Sequence, residues 1–191
     1  ITQFLGFKNY GDEYKVMGLS SYGKSKYFNE ISKIDYNKKL GFELNLKYFV
    51  HHNQNIIKSN IDQIEYKNLY SKEIYSLLGP ERKKNEKITQ RHIDIAKSAQ
   101  DVYENILFTL IENIYNKYKI NNLTLSGGCA MNSVANGKIL KKTSFKNLYI
   151  SPNPGDAGGA VGSAIISIIK SNKKIKKISN YAYLGKRYNN Q

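Results

Sequence analysis

Hydrophobic and polar positions are ordered most regularly between residues 122 and 170. A short apolar run at residues 123–126 ends at a pair of glycines, and residues 131–140 then follow a helical spacing. The design repeats with an apolar run at residues 147–151 and a helical spacing over residues 159–170. This order predicts strand, helix, strand, helix. Two strands joined by a helix of this length form a right-handed parallel pair.

The first 120 residues contain one strong helical pattern and several weaker elements. Apolar residues recur at steps of three and four over residues 89–118, which predicts a long helix with a buried stripe. Weaker patterns predict short helices at residues 13–19 and about 69–78, and alternation over residues 42–50 predicts a half-buried strand. Together these patterns predict the α/β fold class.

A glycine-rich loop follows each of the two predicted parallel strands. Gly127 and Gly128 end the first strand, and Gly158 and Gly159 lie in the loop after the second. Ligands of parallel sheets bind at the carboxyl ends of the strands, where both loops fall. Glycines let the backbone turn sharply and approach a nucleotide, and a helix that follows can direct N–H groups at phosphate. The two loops therefore predict a nucleotide site.

Two polar side chains within these loops are further candidates. Asn132 has an amide that can donate to and accept from an adenine or ribose edge. Asp156 is the only carboxylate after Glu112, and a lone acid at a strand end suits a metal or a metal-bound phosphate. The structural alternative makes the glycines a tight turn, Asn132 a helix cap and Asp156 the N-cap of the last helix. The pairing of two such loops across one βαβ repeat favours the functional interpretation.

Four ordered segments carry a resemblance to a known family. The loops are Leu123-Thr-Leu-Ser-Gly-Gly-Cys-Ala-Met-Asn132 and Ser151-Pro-Asn-Pro-Gly-Asp-Ala-Gly-Gly-Ala160. Upstream of them stand Gly11-Asp-Glu-Tyr-Lys-Val-Met-Gly-Leu-Ser-Ser-Tyr-Gly23 and Thr89-Gln-Arg-His-Ile-Asp-Ile-Ala96. In this order they resemble the O-carbamoyltransferase family, which includes nodulation-factor and antibiotic carbamoyltransferases. The resemblance extends over most of the chain.

The resemblance implies an architecture. It predicts a lobe like those of the actin, sugar-kinase and heat-shock-chaperone ATPases, with a mixed sheet and flanking helices. Residues 1–182 would be the second lobe of the family's N-terminal domain, and residues 183–191 would begin a linker to a C-terminal domain. The family's metal-binding pair of histidines, one helical turn apart, is not matched by the three histidines of this chain. We therefore expect residues 1–191 alone to lack carbamoyltransferase activity, which product formation by that segment would contradict.

The resemblance also implies a reaction. A carbamoyl group would pass from carbamoyl phosphate, through a carbamoyl-adenylate made with ATP, to a hydroxyl of a small-molecule or sugar acceptor. Asp156 would ligate a divalent metal, iron or magnesium. Lys15 could meet phosphate as a point charge, although a solvated helix-face lysine is its alternative. The residues implied in nucleotide binding are Gly127, Gly128, Asn132, Gly158, Gly159 and Lys15.

The net charge of +15 is spread over lysines in every segment. We interpret it mainly as solvated surface that would attract anions such as a nucleotide or carbamoyl phosphate. Two alternatives stay open beside the small-molecule enzyme. One is the related enzyme that makes threonylcarbamoyl-adenylate for tRNA modification, although nucleic-acid binding is less favoured because no RNA-binding module is recognisable. The other is a non-catalytic nucleotide-binding or structural domain.

Composition limits the remaining possibilities. No apolar run approaches the roughly 20 residues that span a bilayer, so we expect a cytoplasmic protein without a membrane partner. The single cysteine, Cys129, excludes an internal disulfide, and we interpret it as a small buried residue. His51 and His52 are interpreted as loop residues, and His92 as an exposed residue in the first turn of the long helix.

Overall fold

The computed structural model describes residues 1–9, 11–38, 41–60 and 63–173, together with Lys186. The chain forms two compact units, residues 1–119 and residues 120–191. Within the described ranges, no helix combines the length and the apolar character needed to cross a bilayer. The linker predicted at residues 183–191 lies, apart from Lys186, outside the described residues.

The described part of the first unit contains helices and two hairpins of short strands. Its helices are α1 (Glu13–Ser20), α2 (Phe28–Ile31), α3 (Tyr75–Leu78) and α4 (Gln90–Tyr118). The antiparallel hairpins pair β1 (Asp35–Lys38) with β2 (Gly41–Leu44) and β3 (Ile57–Asn60) with β4 (Gln63–Tyr66). Single 3-10 turns at Leu46–Tyr48 and Lys72–Ile74 connect these elements.

Helix α4 confirms the long helix predicted from the sequence. Its 29 residues correspond to a length of about 44 Å. Thr89 and His92 form a capping box at its start, and Lys119 ends it in the left-handed conformation with φ of 54°. The buried positions include apolar residues and several polar ones: His92, Asp94, Ile95, Ala96, Ser98, Gln100, Val102, Glu104, Ile106 and Ile111.

The core of the first unit forms where α1 and α2 pack against α4. Phe4 and Leu5 are completely buried in it, although they lie in an irregular N-terminal turn. Arg82 fixes this turn because its Nη1 donates to the carbonyl of Leu5 at 2.8 Å and its backbone N–H donates to that of Phe4 at 3.0 Å. The buried apolar members of the core are Phe4, Leu5, Val16, Ile31, Ile34, Tyr48, Tyr70, Ile74, Leu78, Ile95, Ala96, Val102 and Ile106.

Two predicted elements of the first unit are shorter than the sequence pattern indicated. The strand predicted at residues 42–50 ends at Leu44, because the Asn45 side chain accepts a hydrogen bond from the N–H of Lys47 and starts a 3-10 turn. Ser71 caps the 3-10 turn before α3 in the same way, so the helix predicted from about residue 69 begins later. It ends, as predicted, at Gly79, whose φ is 76°.

The second unit contains the predicted βαβ core. β5 (Asn122–Leu125) pairs in parallel with β6 (Asn147–Ile150). Between them lie a 3-10 turn (Gly128–Met131), α5 (Ser133–Asn136) and α6 (Ile139–Lys142), and β6 is followed by α7 (Gly158–Lys170). The two strands, their parallel direction and the last helix are therefore confirmed.

The single helix predicted at residues 131–140 is wrong, because the chain breaks it into α5 and α6. Asn132 caps α5, and the Asn136 amide donates to the carbonyl of Ala130 at 2.8 Å. Gly137 follows directly, and glycine and asparagine both favour such breaks over continuous helix. Ala135 and Ile139 are nevertheless both completely buried, so the four-residue spacing of the apolar side continues across the break.

The α/β class is confirmed, but the mixed sheet is not present among the described residues. Their strands form three separate two-stranded sheets, two antiparallel and one parallel. The hairpin strands are four residues long and each pairs only with its neighbour along the chain. The likeness to the actin and sugar-kinase lobes, and the assignment of residues 1–182 to one lobe, stay predictions.

Candidate functional site

The first glycine loop, residues 126–132, turns sharply after β5. Gly127 has φ of 98°, a backbone conformation that side chains with a Cβ rarely adopt. A Cβ added to Gly127 or Gly128 would meet no atom within 4 Å. Gly127 is therefore required by the turn, whereas the surface over Gly128 is open to an approaching molecule.

The second glycine loop, residues 151–159, folds closely on itself. A Cβ on Gly158 would lie 2.0 Å from the carbonyl oxygen of Asn153, so this glycine is required by the loop itself. A Cβ on Gly159 would meet nothing within 4 Å. The close approach expected between Gly158 and a ligand is instead an approach of Gly158 to the backbone of its own loop. The surface open to a ligand lies at Gly159.

The two loops touch each other at the ends of the paired strands. The backbone N–H of Gly127 donates to the carbonyl of Pro154 at 2.8 Å. Gly155 faces the first loop, where an added Cβ would meet only the flexible, exposed side chain of Met131. The structure therefore brings the loops together at the carboxyl ends of β5 and β6, the edge where parallel sheets bind ligands.

Asn132 acts as a helix cap. Its Oδ1 accepts a hydrogen bond of 3.0 Å from the N–H of Ala135 at the start of α5. This is the structural alternative foreseen from the sequence, and it orients the side chain within the first loop. A contact between Asn132 and a nucleotide stays a prediction.

Asp156 is exposed and does not cap the last helix. Ala157 occupies the N-cap position of α7 without a side-chain hydrogen bond, and Asp156 contributes only its carbonyl, which accepts from the N–H of Gly159 at 3.0 Å. No group of three or more histidine, cysteine, aspartate or glutamate side chains that could hold a metal occurs in the part of the chain that the structure describes. Magnesium often takes one carboxylate together with substrate phosphates and water, which a lone Asp156 fits.

Lys15 lies on α1, in the first unit, and its ammonium is already paired. Its Nζ lies 2.6 Å from Oδ1 of Asp12 and 5.8 Å from the ring centres of both Phe7 and Tyr14. The hydrogen bond to Asp12 is the main cause that raises the pKa of Lys15. A phosphate would have to compete with this ion pair, and the nucleotide role of Lys15 stays a prediction.

The sequence did not single out Asp94, which joins α4 to the loop after α1. Its Oδ1 accepts from the backbone N–H of Lys24 at 2.9 Å and from the Gln90 amide at 2.8 Å, and its Oδ2 lies 3.0 Å from Nζ of Lys26. One turn later, Ser98 Oγ accepts from the N–H of Tyr27 at 2.9 Å. These hydrogen bonds, led by that from Lys24, lower the pKa of Asp94 to about 2.

The Ser20-Ser-Tyr-Gly23 segment ends in glycine because it passes too close to α4 for a larger residue. A Cβ at this position would lie 2.4 Å from the carbonyl oxygen of Ile93 and 2.7 Å from Cβ of Lys97. The loop therefore passes directly over the backbone of α4. The signal in the sequence was the spacing of Asp94 and Ser98, four residues apart on one helix face.

Two other interpretations from the sequence are wrong. His92 is buried, because it is the fourth residue of the capping box and its Nδ1 accepts from the N–H of Thr89 at 3.1 Å. Burial is the main cause that lowers its pKa, and the neighbouring Arg91 adds to the effect. Cys129 is exposed in the first loop, where the 3-10 turn places the next residue, Ala130, in the interior instead. His51 and His52 lie, as predicted, in an exposed turn.

A comparison with known protein families identifies the family of this chain. A model of the carbamoyltransferase N-terminus family matches residues 1–165. The chain belongs to this family. Its carbamoyltransferase resemblance, based on the two glycine loops and the two upstream segments, is thereby confirmed.

Similar proteins occur in bacteria and archaea. An uncharacterized protein of Synechocystis sp. is 36% identical over the whole of this chain, which covers 30% of that protein. An uncharacterized protein of Methanocaldococcus jannaschii is 33% identical over the whole chain, which covers 32% of it. Nodulation protein NolNO of Sinorhizobium fredii is 31% identical over 86% of the chain and 21% of its own length. The chain thus spans less than a third of each of these relatives.

Proposed function

We propose that the protein is an O-carbamoyltransferase that uses ATP and carbamoyl phosphate to carbamoylate a hydroxyl of a small-molecule or sugar acceptor. The observation that carries the proposal is the contact of the two glycine loops at the carboxyl ends of β5 and β6. The family match supports the type of reaction. One carbamoyl phosphate, one ATP and one water would give carbamoyl-adenylate, phosphate and pyrophosphate. The acceptor hydroxyl would then displace AMP.

The nucleotide would lie over the open part of the loops. Gly128 and Gly159 leave space in which phosphate oxygens could approach the backbone, and α7 begins beside this space. The N–H groups of its first turn would offset phosphate charge. Asp156 would supply one ligand to a magnesium ion held mainly by the phosphates. Iron would need additional histidine or carboxylate ligands that the described residues do not group around Asp156.

Calorimetry of ATP binding to the full-length protein tests the carboxylate. We expect wild type to bind ATP more tightly with magnesium than without it. In the presence of magnesium, Asp156→Asn should bind ATP about tenfold or more weakly than wild type does. Asp101→Asn is the matched control, because it removes a carboxylate that is paired with Lys97 on α4. Equal metal dependence in wild type and Asp156→Asn would refute the role of Asp156.

The open glycines allow a second test with a built-in control. Gly159→Ala and Gly162→Ala both add a methyl group to open positions of α7, so neither should destabilise the fold. Of the two, only Gly159 belongs to the second glycine loop. We expect Gly159→Ala to weaken ATP binding while Gly162→Ala leaves it unchanged. If both bind ATP like wild type, the nucleotide does not occupy the loops.

Pyrophosphate release distinguishes an enzyme from a non-catalytic nucleotide-binding domain. We expect release from ATP by the full-length protein only when carbamoyl phosphate is present. ATP binding without any such release would favour the non-catalytic alternative. A failure of ATP to bind or to raise the melting temperature would show that the loops serve packing alone.

A further inference from the structure

The first glycine loop is held by a side chain from the helix that follows it. Asn136 is the last residue of α5, and its Nδ2 donates to the carbonyl of Ala130 at 2.8 Å. Ala130 lies in the 3-10 turn Gly128–Met131, which forms most of the loop. Ala130 is buried, whereas Gly128, two residues earlier, is exposed with open space over it. The bond therefore fixes the loop on its buried side and leaves the surface proposed for the nucleotide free.

The loop and α5 depend on each other for their conformation. Asn132, the last residue of the loop, caps α5 by accepting from the N–H of Ala135, and the backbone N–H of Asn136 donates to the carbonyl of Asn132 at 2.9 Å. Because an isolated helix of four residues is not stable in water, α5 needs this cap. The Asn136 amide acts in the opposite direction, from the helix back to the loop, so the two segments are ordered together.

Asn136 is a poor choice of residue for stability alone. The carbonyl of Ala130 can only accept, so the amide must direct Nδ2 toward it and Oδ1 elsewhere. Oδ1 is buried, and no residue that the structure describes donates to it. A buried acceptor without a donor costs at least as much free energy as a typical hydrogen bond contributes, so the amide gives little net stability. The benefit that accounts for asparagine here is the fixed position of the Ala130 carbonyl.

We propose that Asn136 is a positioning residue of the nucleotide site, which preorganises the first glycine loop for ATP. The inference rests on the proposed function. A loop that is already ordered loses less conformational entropy when a ligand binds, and this raises the affinity without a new contact. Because Oδ1 is buried and Nδ2 is directed at Ala130, the side chain acts through the loop and not on the ligand. Its loss should therefore affect ATP affinity more than any later step of the reaction.

Calorimetric titration of the full-length protein with ATP and magnesium tests this role. Asn136→Leu keeps the approximate size of the side chain but cannot donate, and we expect it to bind ATP about tenfold more weakly than wild type. Thr143→Val is the matched control, because it also replaces a half-buried donor by an apolar side chain of similar size. Oγ1 of Thr143 donates to the carbonyl of Ile139 at 2.8 Å. Thr143 follows α6 and lies outside both glycine loops, so Thr143→Val should bind ATP like wild type.

Two further measurements separate positioning from a general loss of stability. In the pyrophosphate assay with carbamoyl phosphate, Asn136→Leu should raise KM for ATP about tenfold and change kcat less than about twofold, because bound ATP itself orders the loop. Without ATP, deuterium exchange of a peptide covering residues 126–132 should be faster in Asn136→Leu than in wild type and unchanged in Thr143→Val. Asn136→Ala, which introduces no steric conflict, should give the same results if Asn136→Leu does not fold.

The possible failures are distinguishable. If wild type does not bind ATP, the proposed function and the positioning role are both overturned. If wild type binds ATP and the folded Asn136 variants bind it equally well, only the positioning role is overturned. The positioning role is also overturned if Thr143→Val loses as much ATP affinity as Asn136→Leu, since the effect is then one of stability alone.

Discussion

Replacing Asp94 by asparagine should weaken the interactions that hold the loop after α1 against α4. The folded chain holds the pKa of Asp94 at about 2, against 3.8 for an unperturbed side chain. Since one pKa unit corresponds to 1.36 kcal/mol, this difference amounts to about 2 kcal/mol of folding free energy at neutral pH. The Asp94 side chain is only 3% exposed, so solvent screens its interactions little, whereas the share contributed by Lys26, which is 61% exposed, is screened.

Asp94→Asn preserves shape and can still accept through Oδ1 from Lys24 and Gln90, but it loses the negative charge. We expect its free energy of unfolding to fall by about 2 kcal/mol. Asp94→Ala should cost about 2–4 kcal/mol because it also leaves the N–H of Lys24 without its acceptor. Asp101→Asn, on the same helix and part of an i,i+4 pair with Lys97, should cost about 0.5 kcal/mol or less.

Urea unfolding followed by circular dichroism measures these differences, and deuterium exchange of a peptide covering residues 21–27 gives a local reading. Faster exchange at the Lys24 amide is expected in both Asp94 variants and not in Asp101→Asn. The contribution of Asp94 should be complete above pH 3.8 and lost as the pH falls toward 2, because its folded-state pKa is depressed. Equal stability of Asp94→Asn and Asp101→Asn, or a wild-type acid slope that persists in Asp94→Asn, would refute this account.

Three further predictions concern single positions. Gly23→Ala should lower the free energy of unfolding by about 1–3 kcal/mol through collision with α4, whereas Gly18→Ala, in open space on α1, should raise it by about 0.5–1 kcal/mol in the same urea titration. Gly158→Ala should destabilise the second glycine loop by about 1–3 kcal/mol and Gly159→Ala should not, and equal deuterium exchange of a peptide covering residues 151–159 in the two variants would contradict this. Because the folded-state pKa of His92 is lowered, its contribution to the free energy of unfolding should be complete above pH 6.5 and decline as the pH falls below that value. His92→Gln retains a capping side chain but cannot titrate, so urea titrations across this pH range should show no such decline for it.

The sequence was most informative where one physical cause dominates. The apolar stripe of α4 and the short apolar runs of β5 and β6 depend on burial, and burial produces a regular spacing of apolar residues that can be recognised in the sequence. The breaks between α5 and α6 and after β2 depend on asparagine side chains that bond nearby backbone. Such bonds compete locally with helix and strand, and their outcome depends on tertiary contacts that a pattern does not contain.

Buried polar residues were the hardest feature of the first unit to foresee. His92 and Asp94 lie in the first turns of α4, where charged and titratable groups are commonly exposed. Their burial follows from partners about 70 residues away for Asp94 and from a capping geometry for His92. Neither partner is marked by composition, so the helix was predicted correctly while the burial of its polar residues was not.

The glycines of the two loops separate into those that the fold requires and those that it does not. The positive φ of Gly127 and the backbone contact of Gly158 account for these two glycines without any ligand. No turn geometry or close contact in the described residues accounts for Gly128 or Gly159. A functional argument from glycine content alone would therefore count structural positions as evidence of binding. The nucleotide proposal rests on the contact between the two loops and on the open surface at Gly128 and Gly159, so substitutions at these two positions, and not at Gly158, test it.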